Sequence, residues 1–348
     1  SVSFSSSLET DSKDFNVTDM IMHHIKDSHE FHILDWNGKG VSIPLPIILW
    51  TDNGLVTFSS SEFHHDDEGT ELVTKKGVSF VKFHEEIYYA SPQTNSFGQY
   101  LTLDKNNYPT NLKPVDFSIT KLVFSMFLSM LLLVLIFGIS AKKYSKSNKG
   151  IPSGIAKFTE PLILFIRDEV ARPSIGKQAD RFMPFLLTVF FFIWISNLLG
   201  LIPFLGGLNI TGTLSITMVL AVFVFILISF KANKHYWMHI LWPPGVPAFV
   251  KVILVPIEIA GMFIKPIVLM VRLTANITAG HIIILSFVSL IFIFGQQSVG
   301  LGYGVGVGAT LFMIFMNFIE LLVAFLQAYV FTLLSAIYFG SAVEEPHH

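Results

Sequence analysis

The sequence predicts a mainly α-helical, polytopic membrane protein. Five transmembrane crossings are expected, with an amphipathic interfacial helix and a small N-terminal β-rich soluble domain besides. Three observations carry this expectation. The 348 residues are 52% hydrophobic and only 14% charged, against about 25% charged in an ordinary soluble domain. The charges are segregated, so that residues 1–118 are polar while 119–340 read as successive apolar runs. Those runs reach the ~20 residues needed to span a ~30 Å hydrocarbon core. The net charge of −2 argues against a nucleic-acid partner. With no cysteine, neither disulfides nor thiolate metal sites can form.

Residues 1–118 are expected to form an extracytoplasmic soluble domain and its linker. The first 20 are rich in Ser, Thr and Asp, a composition that favours disorder. The β-rich part lies at about 30–91, where Asn37-Gly38 and Asn53-Gly54 are hairpin signals between Ile-, Val- and Leu-rich runs. Further strands are expected at 78–83 and 86–90, and Asn, Pro and Gly make 91–114 a linker. Seven histidines fall in this part: His23, His24, His29, His32, His64, His65 and His84. His29 and His32 have helical i,i+3 spacing, and His64 and His65 precede Asp66 and Asp67. These four histidines are the metal-ligand candidates, but their spacings match no template, and a solvated His-rich surface is the plainer reading. The chain begins at Ser1 rather than Met, as it would after removal of an export signal or after trimming.

Residues 119–348 are the membrane domain. The first crossing is 119–140, followed at once by Lys142, Lys143, Lys146 and Lys149. Lysines gather on the cytoplasmic side, which puts the soluble domain outside. Residues 153–181 mix Leu162, Ile163, Leu164 and Phe165 with Arg167, Asp168, Glu169 and Arg172, the pattern of an interfacial helix. Residues 182–201 cross back, carrying Asn197 near the outer end, and 211–230 return to Lys231 and Lys234. Residues 251–294 would make a helix of about 66 Å, twice the apolar thickness. That segment must be tilted, broken at Pro256 or Pro266, or partly outside the core. The Gly-rich stretch 295–308 reads as an outer turn. Residues 309–338 cross last and leave the C-terminus in the cytoplasm.

Polar groups inside the apolar runs carry the chemistry. A charged side chain at bilayer depth costs roughly 2.5–3.5 kcal/mol, so it persists where it has a partner or a task. Arg272 and Asn276 are four apart and share a helix face. Glu258, fourteen before Arg272, falls on nearly the same face, and His281, nine after it, on the other side. The last crossing carries Asn317, Glu320 and Gln327. Interhelical hydrogen bonding accounts for Asn317, whereas an intramembrane carboxylate such as Glu320 is by default a proton or ion site. Glu320 and Gln327 share a face. His281 and Glu320 both lie toward the outer ends of helices joined by a short turn, so they can meet as a proton relay, since imidazole titrates near neutral pH.

The stretch Arg272-Leu-Thr-Ala-Asn276-Ile-Thr-Ala-Gly280-His281, preceded by Lys265-Pro266, resembles the signature of subunit a of F-type ATP synthases. Leu326-Gln327-Ala-Tyr-Val-Phe331 is similar to that family's second signature, and Ser196-Asn197-Leu-Leu-Gly-Leu-Ile-Pro203 to a third. The resemblance covers about 119–345 and says little about the soluble domain. It implies the stator half of a proton turbine in a bacterial inner membrane, not an enzyme by itself and needing no cofactor; in such a membrane the lysine distribution puts the N-terminal domain in the periplasm. It also implies two long tilted helices against a rotating c-ring, b-type peripheral stalk subunits and lipid as further partners, and the ATPase head as an indirect one. Arg272 matches the arginine that faces the ring carboxylate and separates two aqueous half-channels. Asn276, His281, Glu320 and Gln327 match the outer half-channel, with Asn197 a secondary lining candidate, and Glu258 matches the inner one. The acid and histidine are exchanged relative to the best-known bacterial pattern, as in mitochondrial members. Two readings from other classes compete: a secondary transporter, for which no internal repeat is visible, and a receptor domain on a membrane anchor, which leaves the polar stripes of two helices without a purpose.

Overall fold

The structure, a computed structural model, describes residues 27–36, 39–105, 108–146, 154–202, 210–242 and 247–343. The segment 1–26 with His23 and His24, and the turn at Asn37-Gly38, lie outside them. The N-terminal region holds three small antiparallel sheets. Strands β1 (Glu30–Trp36) and β2 (Lys39–Pro44) pair alone. Strands β3 (Pro46–Thr51), β4 (Gly54–Ser59) and β8 (Val115–Asp116) form a second sheet in the order β4-β3-β8. Strands β5 (Val73–Lys75), β6 (Val78–Phe83) and β7 (Glu86–Tyr89) form the third. The alternation in β3 buries Ile47 and Leu49 and exposes Trp50, the period of a half-buried strand. Ile47, Leu49, Val56, Phe58, Phe63 and Phe80 make the domain's own core.

The stretch expected as a linker is instead part of this domain. Leu101 is buried, Tyr100 donates its N–H to Gly69, and Asn111 bridges Tyr89 and Ser91. Strand β8 then joins the second sheet. Asn, Pro and Gly mark turns, and here the turns lie against the sheets rather than in open solvent.

The remainder is helical: α1 (Lys121–Lys146), α2 (Ile155–Phe165), a π-turn (Ile166–Ala171), α3 (Arg172–Ile175), α4 (Ala179–Gly200), α5 (Leu214–Lys231), α6 (Lys234–Leu241), α7 (Ala248–Gln297) and α8 (Val299–Val343). Five helical stretches among the described residues are long and apolar enough to cross a membrane: Lys121–Tyr144, Ile155–Gly200, Leu214–Lys231, Phe249–Gly295 and Tyr303–Val343. The protein is a multi-pass membrane protein with the expected five crossings.

The interfacial segment runs directly into the second crossing. Its π-turn inserts one residue into the helix, so Ile166, Val170 and Ala171 are all buried while Arg167, Asp168 and Arg172 stay outside. There Asp168 accepts from Arg167 at 2.9 Å and from Arg172 at 2.8 Å. Helix α4 is apolar all round because it is the centre of the bundle, packed against α1 and α8. Its aromatic residues stack across that interface, with Phe182 and Phe339 4.6 Å apart and Phe190 and Phe325 5.7 Å apart.

Two expectations about the long helices are resolved. Helix α7 is helical through both Pro256 and Pro266, 50 residues in all, or about 75 Å at 1.5 Å per residue. The Gly-rich outer turn at 295–308 is not a turn: α8 begins at Val299 and only Ser298 separates it from α7. In hydrocarbon a backbone must satisfy its own hydrogen bonds, which outweighs the weak helix propensity of glycine.

Candidate functional site

The site is built where α7 lies along α8, with α4 and α5 behind. Thr274 meets Thr217 of α5, hydroxyl to hydroxyl at 2.7 Å, and Thr278 one turn later donates to the Gly212 carbonyl at 3.1 Å. These two contacts fix the rotation of α7. Residues two positions off an i,i+4 pair lie on the opposite side of a helix, so Arg272 and Asn276 face away from α5, and both are exposed. Leu273, between them, is buried. Glu258 is half-buried, about 21 Å before Arg272 along the axis.

Glu320 and Gln327 lie on the inward side of α8, as their seven-residue spacing suggests, at 5% and 6% exposure. Glu320 lies directly on Gly280 of α7. A Cβ at Gly280 would come within 2.9 Å of the Glu320 Cδ and 3.0 Å of its Cγ, so the carboxyl reaches the α7 backbone only because that position has no side chain. His281 is the next residue of α7; its side chain is outside the described set. The structure thus brings Glu320 to the turn of α7 that carries His281, and leaves Arg272 and Asn276 on a different, open face.

Asn197 sits behind this pair. Its Nδ2 donates to the Ala324 carbonyl at 3.1 Å, and its Oδ1 accepts from Thr211. Ala324 is one turn from Glu320, so Asn197 pins α8 midway between Glu320 and Gln327. Both ends of Asn197 are occupied and the residue is buried, so it ties α4 to α8. Asn317, expected to bond between helices, bonds within its own, donating to the Met313 carbonyl at 3.0 Å. Toward the other end of the bundle, Tyr236, Met262, Pro266, Tyr338 and Ser341 line a narrow cavity between α5, α6, α7 and α8. Met262 is one turn beyond Glu258.

Sequence reasoning missed Gly280, Thr211, Thr217, Thr274 and Thr278. The i,i+4 spacing of Thr274 and Thr278 inside the polar stretch was the available signal; Gly280 gave none until Glu320 was placed beside it. The histidines raised as metal candidates are dispersed. His29 pairs with Asp116 at 3.2 Å, His64 with Glu71 at 3.9 Å and His65 with Glu30 at 2.6 Å. The side chain of His32, in β1, is outside the described set. Among the described residues no three His, Asp or Glu side chains converge as a cation site.

Comparison with known proteins identifies the family. Residues 123–340 match the family model described as ATP synthase A chain, and residues 20–117 match one described as a domain of unknown function, DUF8433. ATP synthase subunit a 2 of Chlorobaculum tepidum is 45% identical over 235 residues, covering 65% of this chain and 64% of that one. ATP synthase subunit a of Chloroherpeton thalassium is 41% identical over 240 residues, covering 67% and 69%, and that of Chlorobium phaeobacteroides strain BS1 is 43% identical over 232, covering 65% and 66%. The chain therefore spans a little under two thirds of the length of the first of these relatives.

Proposed function

The chain belongs to the ATP synthase subunit a family, the non-catalytic, proton-conducting stator subunits of the membrane sector, and we propose that it works by holding two proton half-channels apart at Arg272. The observation that carries this reading is the open face of α7. Arg272 and Asn276 are turned to the outside of the bundle within a span that crosses the membrane. Bare hydrocarbon is a costly environment for a guanidinium, so an acidic partner belongs there. A carboxylate of the c-ring fits: the guanidinium attracts it when deprotonated and repels protons that would otherwise pass straight between the half-channels. Arginine does not lose its proton in proteins, so the barrier does not leak by titration.

On one side of Arg272, Glu320, held against the Gly280–His281 turn, and Gln327 form the outer path, with Asn276 on the ring-facing side. On the other side, Glu258 and the cavity at Met262, Tyr236 and Tyr338 form the inner path. Asn197 supports the outer path by fixing α8. The b-type stalk subunits and, through them, the ATPase head complete the assembly.

The test is Arg272→Ala in the assembled complex. ATP-driven proton pumping and ATP synthesis should fall to background while the subunits still co-purify. Lysine should rescue poorly, because it sheds its proton when desolvated. Synthesis within about twofold of wild type in the alanine variant, far less than the order of magnitude that ~1.4 kcal/mol of barrier represents, would refute the role of Arg272.

A further inference from the structure

We propose that His29, Glu85 and Asp116 form an ion clasp that fixes the N-terminal β-domain rigidly onto the outer end of α1, and that the clasp holds only while the His29 ring is charged. The clasp joins three parts of the chain at the place where the domain meets the membrane helix. His29, just before β1, is 3% exposed. Its Nε2 lies 3.2 Å from Asp116 Oδ2, its Nδ1 lies 3.9 Å from Glu85 Oε2, and its backbone N–H donates to the same Glu85 oxygen at 3.3 Å. Asp116 is in β8, five residues before α1. Glu85 is in the β6–β7 turn.

The backbone around the cluster ties it to α1. Lys121 donates its N–H to the Ser28 carbonyl at 2.7 Å, and Asp27 Oδ1 caps the helix by accepting from the Leu122 N–H at 3.0 Å. Phe31 stacks edge-on against Phe124 at 5.1 Å, one turn into α1, and Phe31 and Leu45 belong to the hydrophobic core of the membrane bundle. The domain therefore rests on the helix end itself.

The β6–β7 turn shows that Glu85 is placed there at a cost. His84 and Glu85 have φ of 50° and 65°, the left-handed conformation that a two-residue hairpin turn normally fills with Asn-Gly. Glycine would suit the backbone better at position 85, yet a carboxylate stands there and reaches His29.

The charged groups around the cluster are Asp116 from β8 and Glu85 from the turn, which act on His29 directly, and Lys82 from β6 and Lys121 from α1, which act on Glu85, with Asp67 and Asp27 behind them. Lys82 lies 3.7 Å from Glu85 and 3.8 Å from Asp67, and Lys121 is within electrostatic reach of Asp27 and Glu85. Burial pulls His29 down, but the hydrogen bond to Asp116 and the negative charges of Asp116 and Glu85 more than offset it and leave it pushed up to about 9. Burial pushes Asp116 and Glu85 up, but hydrogen bonds from His29 and Ser118 hold Asp116 below the usual range, and the His29 N–H with the charges of His29 and Lys82 does the same for Glu85. Asp67 is raised by burial and by Glu85. For His29 the folded value lies above the unfolded 6.5, so its contribution is fully present below about 6.5 and is lost as pH rises through about 9. The contributions of Asp116 and Glu85 run the other way and are lost only in acid.

The chain has no cysteine, so paired spin labels can be introduced at Thr57→Cys in β4 and Phe127→Cys in α1, read in the intact complex. The distance distribution should be narrow at pH 7 and broaden about twofold above pH 9, as His29 loses its proton. His29→Gln and Asp116→Asn should be broad already at pH 7 and insensitive to alkali. Glu85→Gly separates a clasp from a mere turn residue: it relaxes the backbone while removing the carboxylate, so the clasp requires a broad distribution. A distribution that stays narrow in Asp116→Asn and Glu85→Gly, or a wild-type width unchanged to pH 10, overturns the proposal. This outcome is independent of the role of Arg272.

Discussion

Glu320 and Gly280 show how one missing side chain can set a chemical contact. The carboxyl lies flat on α7 because nothing projects from Gly280. Gly280→Ala would push the Glu320 side chain off that turn, an overpacking change worth about 1–3 kcal/mol. Proton flux through the assembled complex should fall by about an order of magnitude, the equivalent of ~1.4 kcal/mol, with the amount of assembled subunit little changed. Unaltered flux would mean that the carboxyl does not need to reach α7. If His281 is its working partner, substitution of each by a non-titrating residue, alone and together, should give losses that are not additive, with a coupling of at least ~0.5 kcal/mol. Asn197 supplies the contrast. Interhelical hydrogen bonds in membrane bundles average about 0.6 kcal/mol, so Asn197→Ala should lower thermal stability slightly and flux in proportion to the displaced α8. A large loss of flux at unchanged stability would make Asn197 a lining group and not a tie.

At the level of elements, the sequence patterns that survived were those enforced by the bilayer. Apolar length located every crossing, because a continuous apolar run of ~20 residues satisfies its backbone in hydrocarbon as a spanning helix. The spacing of Arg272 and Asn276 placed them on one face, and that of Glu320 and Gln327 on another. The failures came from rules learned in water. Glycine marks turns there, so 295–308 read as a loop, but α8 is helical from Val299. Asn, Pro and Gly likewise read as a linker at 91–114, where Leu101 is in fact a core residue. Contacts such as Thr217 with Thr274 join segments 57 residues apart, and no local pattern encodes them. The reassigned glycine segment can be tested directly. Gly304 and Gly308 have no atom within 4 Å of a built Cβ and no left-handed φ. Alanine at both should be tolerated and should gain up to about 1 kcal/mol each in helix propensity. Loss of the assembled subunit would show that these glycines are needed as a turn or for a close contact.

Over the whole molecule, the β-domain lies at one end of the helices, and the basic residues that follow α1, precede α4 and link α5 to α7 gather at the other. The end of α1 carrying Lys142 and Lys143 meets α2 through Ser140 and Thr159 at 3.4 Å. The last turns of α8 meet the other basic segments: Gly340 lies so close to Ser174 that a Cβ would come within 2.9 Å of its carbonyl carbon, and the Asn233 N–H donates to Ala342 at 2.8 Å. Arg172 and Lys177 flank the first of these contacts, and Lys231 and Lys234 the second. Lys251, at the start of α7, lies over Trp242 at 4.3 Å, on an interfacial aromatic ring. All of these cations gather away from the domain that rests on Lys121. Cations concentrate on the cytoplasmic side because their export against the membrane potential is unfavourable, so the basic end should be cytoplasmic and the β-domain outside. The cysteine-free sequence makes the test clean. A single cysteine replacing Lys105, exposed in the β-domain, should react with an impermeant maleimide added to right-side-out vesicles and be protected in inside-out ones. A cysteine replacing Lys143 should do the opposite. The reverse pattern at both positions would invert the molecule in its membrane, and with it the assignment of Glu320 and His281 to the outer path and Glu258 to the inner.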